Sequence, residues 1–296
     1  MMIKPAVLIN IVLFHPDINK LLDLIDVCSQ YVNAKIFLFD NSEKQQSLDL
    51  ILTHNLVLFQ SQKNVGVGGA HYAACKMAEA ENFDFVLFLD QDSQLPPDFI
   101  KAMLSGFYRL QKSHPRLCAI GPSWKDPRLF DWQQAKKLKN KHRTRLKAKL
   151  RDKLRLKNIL ISSGMLICVD ALNNIGYPKK EYFIDLVDTE WCLRALSKNY
   201  QVLTLADVHM QHTIGEVKIT RNSFLQYQKP IRYYYSIRNS FYLFSEKKIS
   251  LVLRIFLLVR NILEIRKIPF LPKPLTSFIA AVSGLKDGLL KKNLNL

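Results

Sequence analysis

A chain of 296 residues with 48% apolar and 23% charged side chains can bury a full core, which excludes an intrinsically disordered polypeptide. Its net charge of +18 is localised: residues 136–157 contribute +11, residues 246–296 contribute +7, and the remainder is neutral. A neutral body with two cationic appendages disfavours a dedicated nucleic-acid binder, so no nucleic-acid partner is expected.

Taken in chain order, the apolar run Pro5–Phe14 lacks a small-residue cleavage site and reads as a core strand, not a signal peptide. Strands are expected at Val7–Phe14, Lys35–Phe39, Leu56–Gln60 and Phe85–Leu89. Between the first two, Asp17–Cys28 carries Ile18, Leu21, Leu22 and Ile25 at helical spacing, and Gly69–Ala80 is rich in small helix-forming residues. Strand, turn and helix repeat, as in a mainly parallel α/β sheet with helices on its faces. The five cysteines, Cys28, Cys75, Cys118, Cys168 and Cys192, show neither zinc-site nor redox spacing and read as reduced cytoplasmic thiols.

Three strand ends carry candidate chemistry. Asp40 closes the second strand where it could accept a hydrogen bond from the imide of uracil or thymine. After the third strand, Asn64, Gly66 and Gly69 belong to a glycine-rich turn that opens a helix, a place where backbone can approach a ligand and phosphate is favoured. The alternative is an ordinary tight turn. The fourth strand stops at Asp90-Gln91-Asp92, two hard oxygen donors suited to Mn²⁺ or Mg²⁺ completed by phosphate oxygens, or else a carboxylate capping the next turn.

Farther along, Asp185, Asp188 and Glu190 precede or open the expected helix Trp191–Ser197. On a helical turn Asp185 and Asp188 would share a face, and these acids could serve as a general base or as helix caps. His212 follows an expected strand at Val202–Leu205 and is a candidate metal or diphosphate neighbour, though a lone His is commonly structural. Arg232, Arg238 and Asn239, among tyrosines, could contact diphosphate or a lipid-linked phosphate, or form a solvated basic helix face. The cationic stretch Lys136–Lys157 places Leu146, Leu150 and Leu154 on one stripe, open to a membrane-facing helix or a solvated loop. Ile249–Ile265 is too short and charged to span a bilayer and reads as an amphipathic interfacial helix, with packing on the core or an oligomer contact as alternatives; Pro274–Leu290 reads as another helix.

Taken together, Phe14–Asp17, Phe39–Ser42, Asn64–His71, Phe88–Ser93, Ser162–Gly164, Tyr182–Trp191, His212–Glu216 and Tyr235–Asn239 resemble glycosyltransferase family 2, in its bacterial rhamnosyltransferase-like branch, in family order over about residues 6–240. A weaker echo lies at Gly284–Gly288. The resemblance implies a GT-A fold over residues 1–245, with a basic insertion at about 133–158, and a C-terminal helical membrane-associating extension over 246–296. It implies Asp40 as the base-binding acid, Asp90 and Asp92 as ribose and metal carboxylates, and His212 near the metal or diphosphate. Asp188 takes the place of the general base, with Val187 where a Glu often sits. His15 and His71 stand where Asn is frequent, both expected near the nucleotide pocket.

The implied function is inverting, metal-dependent transfer of a sugar, by resemblance L-rhamnose from dTDP-L-rhamnose, to a lipid-linked or growing surface polysaccharide. The enzyme would be peripheral on the inner face of the bacterial cytoplasmic membrane, held to anionic lipid by its basic segments. A UDP-hexose transferase, a nucleotidyltransferase and a basic nucleic-acid binder are the alternatives, although no basic triphosphate signature stands beside the first strand. The oligomeric state is left open.

Overall fold

The structure is a computed structural model that describes residues 4–44, 55–125, 159–212, 215–219 and 224–291. The basic segment at 133–158 lies outside the described residues.

Strands β1 (Val7–Leu13), β2 (Ala34–Asp40), β3 (Leu56–Gln60) and β4 (Phe85–Asp90) pair in parallel in the order β3-β2-β1-β4. The sheet continues through β6 (Met165–Cys168), β5 (Leu117–Lys125) and β7 (Gln201–Gln211). Strand β6 is antiparallel to both β4 and β5, while β5 and β7 are parallel.

Every residue of β1 is buried, as expected for a parallel strand covered on both faces. Alternation then sorts its side chains. Val7, Ile9, Ile11 and Leu13 pack with helices α1 (Ile18–Ser29) and α3 (Phe99–Gln111). Leu8 and Val12 join Ala70, Ala74 and Ala78 of α2 (Gly66–Ala80), whose small side chains let it lie close to the sheet. After the short helix α4 (Leu172–Ile175), α5 (Val187–Ser197) covers that same face with Trp191, Cys192 and Ala195.

All five cysteines are free, and four are buried. Burial pushes the Cys28 thiol up to about 12.

The parallel strand ends all face one edge, where ligands bind in open α/β sheets. A hairpin of β8 (Glu216–Ile219) and β9 (Phe224–Tyr227) follows, and then α6 (Pro230–Phe244). Helix α6 is buried along Tyr233–Tyr235 and Ile237–Ser240. Helices α7 (Leu251–Leu263) and α8 (Pro274–Leu289) pack onto it. At Gly284 an added Cβ would stand 2.3 Å from the Tyr234 carbonyl oxygen, and Tyr234 Oη donates to Asp287 at 2.9 Å. The stretch Ile249–Ile265 takes up the core packing that was one of the alternatives for it. Leu253 and Leu257 are buried against the core, whereas Leu251, Val252, Ile255, Val259 and Leu263 stay exposed.

Candidate active site

The ends of β1, β2 and β4 are tied together by side-chain clamps. Gln91 accepts from the Phe14 amide at 2.7 Å and donates to the Phe14 carbonyl at 3.2 Å, joining β4 to β1. Ser93 Oγ accepts from the Asp90 amide and meets Ser163 Oγ at 3.1 Å, while the Gly164 amide donates to the Phe88 carbonyl. These bonds hold the 162–164 turn against the end of β4.

A cavity of about 460 Å³ opens at this edge, lined by Asp90, Asp92, Ser162, Asp188, His212 and Arg232 among others. The structure thus brings Asp90, Asp92, Asp188 and His212 together from three segments. His212 Nδ1 lies 3.8 Å from Asp90 Oδ2. Burial raises the Asp90 carboxyl above the usual carboxylate range; His212 pulls it back, and Asp92 and Asp188 push it farther up. Asp188 is raised by burial too, against the bonds from the Thr189 and Ser162 amides.

Desolvated carboxylates that repel one another make a site that a cation relieves. The donor set fits a hard divalent ion, with Asp90 and Asp92 as oxygen ligands and His212 beside them. Among the described residues no three acid, His or Cys side chains stand close enough to enclose an ion alone. Phosphate oxygens of a substrate would have to complete such a shell.

The three candidate bases separate clearly. Glu190 is wholly buried, accepts from Arg194 Nε and Nη2 at 2.8 and 2.9 Å, and has Lys179 Nζ at 3.4 Å. Asp185 is held by Arg232 Nε at 2.9 Å and again by Nη2. It does not share a helical face with Asp188, because α5 begins only at Val187 and Asp185 stands in left-handed conformation at φ 63°. Asp188 accepts from backbone amides of Ser162 at 3.0 Å and Thr189 at 2.6 Å, has no cation paired to it among the described residues, and lines the cavity.

Phe183, Asp185 and Leu186 all have positive φ, an unusual concentration of strain in non-glycine residues. Helix α6 supports that segment from below. Asn239 Nδ2 lies within 2.8 Å of the carbonyls of Tyr182, Ile184 and Asp185, and Arg238 Nη2 donates to that of Glu181 at 2.6 Å.

Several expectations need correction. Arg238 is 1% exposed and spends its donors on the Glu181 carbonyl and Asn239, so it cannot reach a diphosphate. Arg232, six residues earlier, is the guanidinium that lines the cavity. The glycine turn is closed, not a phosphate cradle. The Gly66 amide donates to Asn64 Oδ1 and the Gly68 amide to the Phe183 carbonyl, leaving few free donors at the α2 N-terminus. At Gly66 (φ 71°) a Cβ would stand 2.4 Å from that same carbonyl oxygen, and at Gly69 it would strike Val65. Asn64 and Gly66 still border a second cavity of about 540 Å³ with Phe14, Asn41 and Tyr235; Gly69 does not. His71 is buried against Asn10 Nδ2 at 3.0 Å and stacked on Phe88, with burial depressing its pKa to about 3, so it belongs to the core. His15, by contrast, sits at the exposed rim and pairs with Glu43 at 3.0 Å.

Asp40 is 1% exposed and does not line the 540 Å³ cavity, although its neighbour Asn41 does. Its Oδ1 accepts from the Ser42 amide, and Oδ2 is buried with no hydrogen-bond partner among the described residues, a costly state that invites a donor. Ser162, whose amide orients Asp188, and Arg232, which lines the cavity, are site residues as well. The Ser162–Gly164 motif and the arginine's tyrosine-rich surroundings were the available signals.

Comparison with known proteins agrees with this layout. Residues 11–176 match the family described as glycosyl transferase family 2. The dTDP-rhamnosyl transferase RfbF of Shigella flexneri is 27% identical over 300 aligned residues, covering 94% of this chain and 96% of that protein. Among solved structures, S. aureus TarS residues 1–349 in complex with UDP-GlcNAc superposes with a TM-score of 0.57 at 14% identity, covering 96% of this chain and 80% of that one. A mycobacterial protein superposes at 0.50 with 13% identity, over 83% and 76%. At such identity the structural likenesses establish the shared GT-A fold alone.

Proposed function

The chain belongs to glycosyl transferase family 2 and is a glycosyltransferase; from that premise we propose that it transfers L-rhamnose from dTDP-L-rhamnose, with inversion, to a lipid-linked or growing surface polysaccharide. The observation that carries the reading is the meeting of Asp90, Asp92, Asp188 and His212 on one cavity at the ligand-binding edge of the sheet. The donor assignment draws support from the rhamnosyl transferase relative, which spans nearly the whole chain.

In this mechanism the base and sugar of the donor occupy the 540 Å³ cavity lined by Asn41, and the imide of the base would have to reach past that residue to donate to the buried, unpartnered Asp40 oxygen. The diphosphate lies toward Asp90 and Asp92. Mn²⁺ or Mg²⁺ held by those two carboxylates, beside His212, would neutralise charge on the departing diphosphate. Arg232 stands on the shared wall of both cavities, where its remaining donors can meet a phosphate oxygen. Asp188, on the other side of the site, takes the proton from the acceptor hydroxyl as it attacks the anomeric carbon. Attack opposite the leaving group inverts that centre.

Incubation with dTDP-L-rhamnose, UDP-glucose and UDP-GlcNAc, followed by NMR of the product anomeric carbon, tests donor and stereochemistry together. Turnover of dTDP-L-rhamnose at least about tenfold above the UDP sugars, with inversion, is expected; such a ratio corresponds to about 1.4 kcal/mol of discrimination. Preference for a UDP sugar contradicts the donor, and retention contradicts the role given to Asp188.

We also assign the exposed apolar faces of α7 and α8 to an anionic membrane surface. Leu251, Val252, Ile255 and Val259 on α7, and Leu275, Phe278, Ile279 and Val282 on α8, lie exposed beside Arg260, Lys273 and Lys286. Each cation near anionic lipid contributes about 1 kcal/mol. No described helix is long and apolar enough to cross a membrane, so the contact is interfacial. Sedimentation with anionic vesicles, reversed by salt, is the expected result; equal binding to neutral vesicles would contradict the electrostatic part.

A further inference from the structure

The turn at 183–186 is a common wall of the two working cavities. Phe183 and Ile184 line the 540 Å³ cavity, and Ile184, Asp185 and Leu186 line the catalytic one. Leu186, at φ 62°, immediately precedes α5, and Asp188 is the second residue of that helix. The conformation of the turn therefore sets where the Asp188 carboxylate points. Left to itself, a turn with Phe183, Asp185 and Leu186 all at positive φ would relax, since such backbone persists only where its surroundings over-determine it.

Those surroundings reach it from two sides. From α2, the Gly68 amide donates to the Phe183 carbonyl at 2.8 Å. From α6, the fully buried Asn239 turns its Nδ2 to the carbonyls of Tyr182, Ile184 and Asp185 at 2.7, 2.8 and 2.8 Å. Its Oδ1 accepts from Arg238 Nε and Nη2 at 3.0 and 2.8 Å. The neighbours fix which way this amide lies. Carbonyls only accept and a guanidinium only donates, so nitrogen must face the turn and oxygen the arginine. Asn239 lines neither cavity, so whatever it contributes to the site passes through the turn.

We infer that Asn239 is a positioning residue of the transfer reaction: it holds the 183–186 turn in the left-handed conformation that aims Asp188 at the acceptor hydroxyl. The assignment rests on the transferase reading above, with Asp188 as base, and deepens it. Arg238 acts one step farther out, orienting Asn239 and pinning the Glu181 carbonyl at 2.6 Å. The two buried side chains that cannot reach a diphosphate thus have a use at the site. A base displaced by about 1 Å loses on the order of 10² in rate. The acids assigned to the donor, Asp40 and Asp90, close β2 and β4 and stand outside the turn, so donor binding is spared.

Asn239→Asp keeps the shape but sets an oxygen against three carbonyls, and Asn239→Ala removes the donor outright. Both are compared with wild type and with Leu24→Ala, a buried truncation in α1 that controls for lost stability. Release of dTDP from dTDP-L-rhamnose is followed with water in the acceptor's place, below the melting temperature of each protein. Both Asn239 variants should lose about 10² in kcat with donor KM within about threefold, whereas Leu24→Ala should keep its kcat. Amide exchange gives a readout independent of turnover. The Ser162 amide, which donates to Asp188 Oδ2, should exchange at least about tenfold faster in the Asn239 variants, as expected for a lost hydrogen bond, while the β1 amides exchange as in wild type. A kcat above about a third of wild type in both folded variants, or an unchanged Ser162 amide, overturns the assignment. So does an equal loss of kcat in Leu24→Ala, which would mark a general softening of the fold. If neither Asn239 variant folds, Arg238→Lys loosens the same clamp from its outer end, with about tenfold lower kcat and the same faster Ser162 exchange expected. Wild type that releases no dTDP contradicts the donor assignment instead, and the exchange of the Ser162 amide then decides the role of Asn239.

Discussion

Asp188→Asn is expected to lower kcat for sugar transfer by about 10² to 10⁴, the usual worth of a general base, while nucleotide binding stays within about twofold. The change is small in structural terms. One side-chain oxygen remains to accept from the Ser162 or Thr189 amide, so the loss is about one hydrogen bond, roughly 1 kcal/mol. The rival acids are committed elsewhere: Glu190 to Arg194, and Asp185 to Arg232. The pH profile adds a second readout. Burial raises the Asp188 carboxyl above the ordinary carboxylate range, and a base works only when deprotonated. The wild-type rate should therefore rise with pH through that raised pKa and fall below it, and the variant should lack this limb. A variant that keeps more than about a third of wild-type kcat would place the proton acceptor elsewhere.

Glu190→Ala is expected to cost about 3–5 kcal/mol of folding stability, read by denaturant unfolding. Glu190 is fully buried, and its loss leaves the Arg194 guanidinium and the Lys179 ammonium without their shared carboxylate. Arg194 also donates to the carbonyls of Ile175 and Tyr177, and Trp191 Nε1 to that of Gly176, so the ion pair anchors the turn before the strained segment. Set against the 5–15 kcal/mol of a typical domain, the loss is large. A cost under about 1 kcal/mol would mean that Arg194 remains solvated in the variant and that the pair is incidental.

The inner parallel strands β1 and β4 were legible because they are buried on both faces and so read as unbroken apolar runs; the half-exposed edge strand β3 at Leu56–Gln60 also lies where expected. Strand ends at acids were legible too, since Asp40 and Asp90 close β2 and β4. Strand β6, only four residues long and antiparallel, carries no periodic signal of its own. The roles of Arg232 and Arg238 were not separable in one dimension. Both are arginines in a tyrosine-rich helix, and only the packing of α6 decides that Arg238 turns inward to the Glu181 carbonyl while Arg232 reaches Asp185 and the cavity. The glycine turn misled for a related reason. Its freedom serves the Phe183 carbonyl, more than a hundred residues away in sequence. His71 likewise meets Asn10 across 61 residues, a pairing no local pattern announces.

The alternatives make different demands on the same groups. A nucleotidyltransferase would release pyrophosphate from a nucleoside triphosphate, and a nucleic-acid binder would lose affinity steeply with salt through residues 136–157. A nucleotidyltransferase would share the nucleotide pocket and the carboxylates, so the family match over residues 11–176, more than the cavity, favours the glycosyltransferase.

Calorimetric titration with dTDP, UDP, GDP and CDP, with and without Mn²⁺ or Mg²⁺, tests the central claim most directly when wild type is run beside an Asp90→Ala/Asp92→Ala variant. Metal-dependent binding of one diphosphate, dTDP on this account, and its loss in the variant are predicted. Binding that ignores both the metal and the two aspartates, or no binding of any of the four, would contradict it.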